Sequence, residues 1–200
     1  VALNLHVIRP GTEDPEESAD AMRRIDALAN RAFTGPMLRG EYDADLVEDT
    51  RDVSDWSFVK PGDLANINQP IDILGVNYYS TVTVKTWDGV SPRANADGHT
   101  PSKGSPWPGS QNVEFVAQKG PYTDMGWNIA PDGLEELLVK LHDDFPDQPL
   151  MITENGSAWY DPPHAIDGRI HDPMRVDYLN NHLKALHDAI GKGADIRGYM

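Results

Sequence analysis

The sequence predicts an α/β fold built on a parallel sheet, and three observations predict it. Short apolar runs of strand length alternate with amphipathic runs of helix length along the chain, an order that implies parallel strands joined by helical crossovers. Two helical runs open on Asp-Pro, at Asp14-Pro15 and Asp172-Pro173, the expected chemistry of a helix N-terminus. The best-defined strand, Leu150-Met-Ile152, is apolar at every position, as a strand covered on both faces should be.

Taken in order, Val1 to Ile8 reads as the first strand. Asp14 then serves as an N-cap, with Pro15 at the first helical position and Glu17 three residues after the cap. Met22, Ile25, Ala29 and Phe33 follow at helical spacing and predict one buried face. Pro70 to Tyr79 is the second strand. From Thr86 to Met125, about 40 residues are rich in Gly, Pro, Ser and Asn, and loops of that length tend to be functional or disordered. The flanking patterns form one β/α series, so the segment reads as a long surface loop within a single domain spanning 1–200. Pro131 to Phe145 is a helix with Leu134, Leu137, Leu138, Leu141 and Phe145 on its apolar stripe. The Leu150 strand follows. Asp172 caps a last helix, whose predicted apolar stripe is Leu179, Leu183, Leu186 and Ile190 and which ends at Gly191 and Gly193. Ile196 to Met200 begins another strand. Opening and closing within strands would leave a sheet edge at each terminus, so the sequence reads as a fragment of a larger sheet.

Composition narrows the function. A formal net charge of −15 argues against nucleic acid and anionic membranes as partners and suits a neutral ligand. No apolar stretch approaches the ~18 residues of a membrane span. No signal-peptide pattern is visible, and a cytoplasmic location is the expectation. Zero cysteines exclude disulfides, thiolate metal sites and cysteine nucleophiles. The histidines show no tight ligand spacing; His182 and His187, on one helix, read as surface or packing residues. Neither GxGxxG nor GxxxxGK occurs. No cofactor or metal is expected.

The chemistry concentrates at Glu154, where the apolar strand turns polar at Thr153 and breaks at Gly156. Strand periodicity places Leu150, Ile152 and Glu154 on one face of their strand. It likewise groups Ile73, Gly75, Asn77 and Tyr79, and, on the first strand, Ala2, Asn4 and His6. If these faces point into a barrel, Asn4, Asn77, Tyr79 and Glu154 converge at its rim. A carboxylate there needs donors to keep it ionised and aimed; the Tyr79 hydroxyl and the Asn77 amide can supply them. Tyr78 points away by the same periodicity. Trp107, in Ser-Pro-Trp-Pro-Gly, reads equally as a loop anchor or a sugar contact.

Several motifs resemble those of glycoside hydrolase family 1, the retaining β-glucosidases and β-galactosidases. Ile152-Thr-Glu-Asn-Gly156 is similar to the family's nucleophile motif, and Leu74-Gly-Val-Asn-Tyr-Tyr-Ser80 to its sixth-strand motif. Ala2-Leu-Asn-Leu-His6 resembles the fifth strand, and Arg24-Ile-Asp-Ala-Leu-Ala29 the helix after it. Met125-Gly-Trp127, leading into Pro131-Asp-Gly-Leu134, resembles the segment before the seventh strand. The resemblance covers nearly the whole chain in the right order.

It implies a partial (β/α)8 TIM barrel, about strands five to eight with their helices. Glu154 would be the catalytic nucleophile and Tyr79 its hydrogen-bond partner. Asn77 and Asn4 would lie at the sugar subsite, and Trp127 would line the aglycone side. The substrate would be a β-glucoside or oligosaccharide. The family's acid/base lies in an Asn-Glu-Pro motif, and no Asn-Glu-Pro occurs here. The resemblance thus implies half an active site, and the isolated chain is expected to be inactive. A second reading is a non-catalytic half-barrel that binds sugar only, pairs with the missing N-terminal half, or associates with another copy of itself.

Overall fold

The computed structural model describes residues 1–96, 107–161 and 164–200. Among them the strands are β1 (Ala2–Asn4), β2 (Val7–Pro10), β3 (Leu74–Asn77), β4 (Thr81–Thr86), β5 (Val113–Val116), β6 (Leu150–Glu154) and β7 (Ile196–Tyr199). The α-helices are α1 (Ala19–Asp26), α2 (Ala32–Thr34), α3 (Ala44–Asp49), α4 (Asp63–Ile67), α5 (Pro131–Asp144) and α6 (Pro173–Gly191). The chain divides into two compact units, one formed by Val1–Asn4, Asp72–Ser80 and Lys119–Met200, the other by Leu5–Ile71 and Thr81–Gln118.

The first unit holds the predicted parallel sheet, in the order β1-β3-β6-β7. Chain order and sheet order agree, with α5 between β3 and β6 and α6 between β6 and β7. Leu74, Val76, Leu150 and Ile152 are buried almost completely, as expected for central parallel strands. α5 buries Leu134, Leu137, Leu138 and Leu141 of the predicted stripe and packs along α6, while Phe145 lies just past the helix end and is only partly buried. Gly75 lies opposite Ala2 in the β1–β3 register. A Cβ at Gly75 would come 2.8 Å from the Ala2 Cβ and 2.9 Å from the Thr153 Cγ2. The three strands approach one another too closely there for any side chain.

Asp172 caps α6 as expected, its carboxylate accepting from the Arg175 backbone N–H at 3.1 Å. The helix face differs from expectation. Tyr178, His182, Ala185 and Ala189 are buried, while Leu179, Leu183 and Ile190 are 40–46% exposed. Tyr178 and His182 can turn inward because their rings stack at 3.9 Å and the His182 Nδ1 lies 2.8 Å from the Tyr178 carbonyl oxygen. The ring stacking and the Nδ1 contact offset part of the cost of burying His182, whose Nε2 has no hydrogen-bond partner among the described residues.

The second unit carries β2, β4 and β5, with β2 parallel to β4 and β4 antiparallel to β5. Its core is Ile8, Ala21, Ile25, Ala29, Val82, Val84, Val113 and Phe115. Three sequence expectations are corrected here. First, Val1 to Ile8 is two strands rather than one. The Asn30 side chain accepts from the His6 N–H and donates to the His6 carbonyl, both at 2.8 Å; it replaces a neighbouring strand at that residue, so β1 and β2 enter different sheets. Second, Phe33 is exposed and Thr34 is buried. Ala27–Arg31 is a wide π turn, which advances the buried face by one residue from the α-helical expectation. Third, the segment from 86 to 125 is not all loop, because β5 lies within it and pairs with β4; residues 97–106 of that segment lie outside the described residues. Trp107 anchors this segment, stacking on Phe115 and packing edge-on to His6. Asp14 caps a 3-10 turn, Pro15–Ser18, before α1 begins.

An ion cluster joins the helical part of this unit. Arg31 donates to Asp26 at 2.9 Å and to Asp45 at 2.7 and 2.8 Å, while Arg23 donates to Asp45 at 2.8 Å and Asp49 at 2.7 Å. Hydrogen bonds from Arg31, then from Arg23, hold the Asp45 carboxyl far below the usual carboxylate range, against the opposing cost of burial.

Two predictions follow from these contacts. Gly75→Ala should lower stability by about 1–3 kcal/mol, the usual cost of overpacking, and an unchanged midpoint in chemical denaturation would refute the close-approach reading. A carboxyl with a depressed folded-state pKa stabilises above its unfolded value of about 3.9, and that contribution is lost as pH falls through the folded value. Asp45→Asn should therefore lower the melting temperature at pH 7 and flatten its fall below about pH 4. Parallel melting profiles for variant and wild type would rule this out.

Candidate active site

The site lies at the carboxyl ends of the parallel strands, where β/α barrels place their chemistry. Its geometry starts from an irregularity. Gly75 is in register with Met151 and Val76 with Ile152, but Asn77 is in register with Glu154. The ladder thus skips Thr153. Regular alternation would put Glu154 on the face of Leu150 and Ile152, both buried. The register shift releases it from that face and brings it into line with Asn77. Thr153 keeps to the side of Gly75 and Asn77, its methyl being the group nearest a Gly75 Cβ after Ala2, and its hydroxyl donates to the Asn77 Oδ1 at 2.6 Å. A bulge that re-aims a side chain is a recurrent device beside active sites.

Glu154 is exposed, and its Oε2 accepts a hydrogen bond from the Tyr79 hydroxyl at 2.9 Å. Burial, and then the hydrogen bond to Glu154 and its negative charge, raise the Tyr79 phenol above its ordinary pKa. Tyr79 is therefore held as a protonated donor. The Trp127 ring meets the Tyr79 ring edge-on, with centroids 5.5 Å apart, and packs this phenol from the side. Asn4 stands beside Asn77 in the β1–β3 register.

The structure thus brings Glu154, Tyr79 and Trp127 into one contact series and sets Asn77 and Asn4 side by side on adjacent strands. One expectation changes: the Asn77 amide is bonded by Thr153, and the donor to Glu154 is Tyr79. Tyr78 points away as predicted. It is buried, and its hydroxyl donates to the Ala130 carbonyl at 2.7 Å.

Residues outside the sequence reading complete the surroundings. Asn155 donates from Nδ2 to the Tyr78 carbonyl at 2.8 Å and to the Tyr178 hydroxyl at 3.1 Å, and it accepts at Oδ1 from the Tyr199 hydroxyl at 2.7 Å. In the sequence Asn155 stands out only as a member of the Ile152–Gly156 motif. The signal that could have found its partners is a tyrosine on each of the two following elements, Tyr178 on α6 and Tyr199 on β7. Among the described residues, no group of three or more His, Asp or Glu side chains is arranged to hold a metal ion. The arrangement offers one carboxylate at a strand end, aimed by a neutral phenol, which suits a nucleophile or a general base.

Comparisons with known proteins agree with this architecture. Residues 1–200 match the family described as Glycosyl hydrolase family 1. A bifunctional β-D-glucosidase/β-D-fucosidase of Bifidobacterium breve is 45% identical over 203 residues, covering 100% of this chain and 41% of that protein. A psychrophilic β-glucosidase from Micrococcus antarcticus superposes with a TM-score of 0.87 at 39% identity, over 100% of this chain and 43% of that one. A family 1 β-glucosidase from Thermotoga maritima superposes with a TM-score of 0.78 at 31% identity, over 99% of this chain and 40% of that one. The chain spans about two fifths of the length of these relatives, and its fold is that of a partial (β/α)8 barrel.

Proposed function

We propose, from the premise that this chain belongs to glycosyl hydrolase family 1, that it supplies the nucleophile half of a retaining β-glycosidase acting on terminal β-D-glucosides. The observation that carries the reading is the Tyr79–Glu154 hydrogen bond of 2.9 Å at the carboxyl ends of β3 and β6. Relatives described as β-glucosidases, one of them also a β-fucosidase, favour a β-glucoside as substrate.

In the complete enzyme the reaction has two displacements. A Glu154 oxygen attacks the anomeric carbon, forming a glycosyl ester as the bond to the leaving-group oxygen breaks. That oxygen departs with a proton from a second carboxyl group, which this chain does not contribute as Asn-Glu-Pro. A water molecule, deprotonated by the same second group, then attacks the anomeric carbon and returns Glu154 as a carboxylate. The anomeric configuration is retained because the centre inverts twice. Tyr79 holds the attacking carboxylate in one orientation. Asn77, its amide oxygen engaged by Thr153, directs its N–H donors at a sugar hydroxyl, with Asn4 bordering the same subsite and the Trp127 indole facing the aglycone.

Glu154→Gly in the full-length enzyme should abolish β-glucoside hydrolysis, and near-normal turnover in that variant would falsify the nucleophile assignment. The 200-residue chain alone should show no measurable hydrolysis of a chromogenic β-glucoside, because general acid catalysis of about 10²–10⁴-fold is absent along with the rest of the sugar pocket. Native mass spectrometry run beside that assay separates the readings. Turnover by a 22.1 kDa species, lost on changing Glu154, would overturn this expectation; sugar binding without turnover would favour the non-catalytic half-barrel.

A further inference from the structure

The backbone ladder between β3 and β6 ends at Glu154, whose carbonyl accepts from the Tyr78 N–H at 2.9 Å. The next polar group on β3 is the Tyr78 carbonyl, and the residue beside it is Tyr79, which aims Glu154. The Asn155 side-chain amide donates to that carbonyl at 2.8 Å, and so supplies one more rung where the two strands part.

The same amide is fixed from two other elements. Its Nδ2 donates to Tyr178 on α6 at 3.1 Å, and its Oδ1 accepts from Tyr199 on β7 at 2.7 Å. Tyr178 is itself locked in place. It is 2% exposed, and its ring is stacked on His182 at 3.9 Å. His182 is fully buried with its Nδ1 at 2.8 Å from the Tyr178 carbonyl, and burial lowers its pKa and keeps the ring neutral. Three strands and a helix therefore meet in one planar amide directly after the Glu154 position.

The geometry points to Asn155, clamped by Tyr178 and Tyr199, as a positioning residue for the nucleophile: it fixes the backbone of Tyr78 relative to that of Glu154 and so sets the Tyr79–Glu154 hydrogen bond. Asn155 touches no reacting atom. It acts through Tyr79, and this inference rests on Glu154 being the nucleophile. Only an amide carries the donor and acceptor pattern the clamp uses, since the carbonyl of Tyr78 needs an N–H and the hydroxyl of Tyr199 needs an acceptor. A displacement of 1 Å in such a carboxylate is enough to cost orders of magnitude in rate.

The test is a double-mutant cycle in the full-length enzyme, with turnover normalised to the concentration of folded active sites. Asn155→Ala should lower kcat about 10–100-fold while KM changes less than about threefold, the pattern of an interaction felt mainly in the transition state. Tyr199→Phe, which removes one hydroxyl and keeps the ring, should lower kcat about 3–10-fold and carries the test if Asn155→Ala does not fold. In a Tyr79→Phe background the loss from Asn155→Ala should shrink to about threefold or less, because both act through one hydrogen bond. Wild-type kcat in Asn155→Ala and Tyr199→Phe overturns the inference. So does a loss that multiplies in full with Tyr79→Phe, which marks a structural effect independent of the nucleophile. If Glu154→Gly keeps its turnover, the nucleophile assignment fails and takes this inference with it. If Glu154→Gly is inactive and the cycle is additive, only the positioning role fails.

Discussion

The site depends on one skipped residue in the β3–β6 ladder. Parallel strands with a strict period of two would present Leu150, Ile152 and Glu154 to the same buried face. A carboxylate carried there would meet aliphatic carbon, and the strand would have to give up either its core packing or its charge. Skipping Thr153 resolves the conflict locally. Leu150 and Ile152 stay in the core, Thr153 turns to bond Asn77, and Glu154 leaves the sheet on the side where Tyr79 waits. A one-residue change in this register would exchange the two faces and remove the site without altering any side chain.

Such a bulge gives up regular backbone pairing, and the polar groups it frees must find partners elsewhere. The sequence solves this with side chains that are short, neutral and directional. The Thr153 hydroxyl donates to the Asn77 amide oxygen across the two strands. Asn155 extends the ladder to the Tyr78 carbonyl and ties it to α6 and β7. The same device operates in the second unit, where the Asn30 amide takes both backbone groups of His6 and separates β1 from β2. In both places an asparagine amide stands in for a strand's edge, because it is the side chain closest in chemistry to a peptide group.

This also explains which parts of the molecule were legible in the sequence. The parallel strand series, α5 and its leucine stripe, the Asp172 cap of α6, the inward turn of Tyr78 and the Tyr79–Glu154 contact follow from period, capping chemistry and motif. The departures come from backbone irregularity, masking composition and non-local contacts. The π turn at Ala27–Arg31 hides Thr34 and exposes Phe33. The stacked Tyr178 and His182 displace Leu179 and Leu183 from the buried face of α6. The β5 strand is short, and a loop rich in Gly and Pro masks it. Periodicity alone is an incomplete reason for Glu154 at the site, since regular alternation would turn it away and the register shift brings it back. Asn155 was hidden because its three partners lie at sequence separations of 23 to 77 residues, beyond the reach of any local pattern.

The choice of a phenol to aim Glu154 has an electrostatic logic. A guanidinium or ammonium group would hold a carboxylate more tightly, but it would form an ion pair that must be broken or stretched as the oxygen attacks carbon. Arg31 and Arg23 hold Asp45 in that way in the second unit. Among the described residues Glu154 has no such ion pair. Tyr79, with its pKa raised by burial and by Glu154 itself, donates one directional hydrogen bond and remains neutral. The donor fixes direction without cancelling charge. In a chain with a net charge of −15, a neutral donor at this strand end leaves the negative charge of Glu154 uncancelled, which is what the proposed nucleophile role requires.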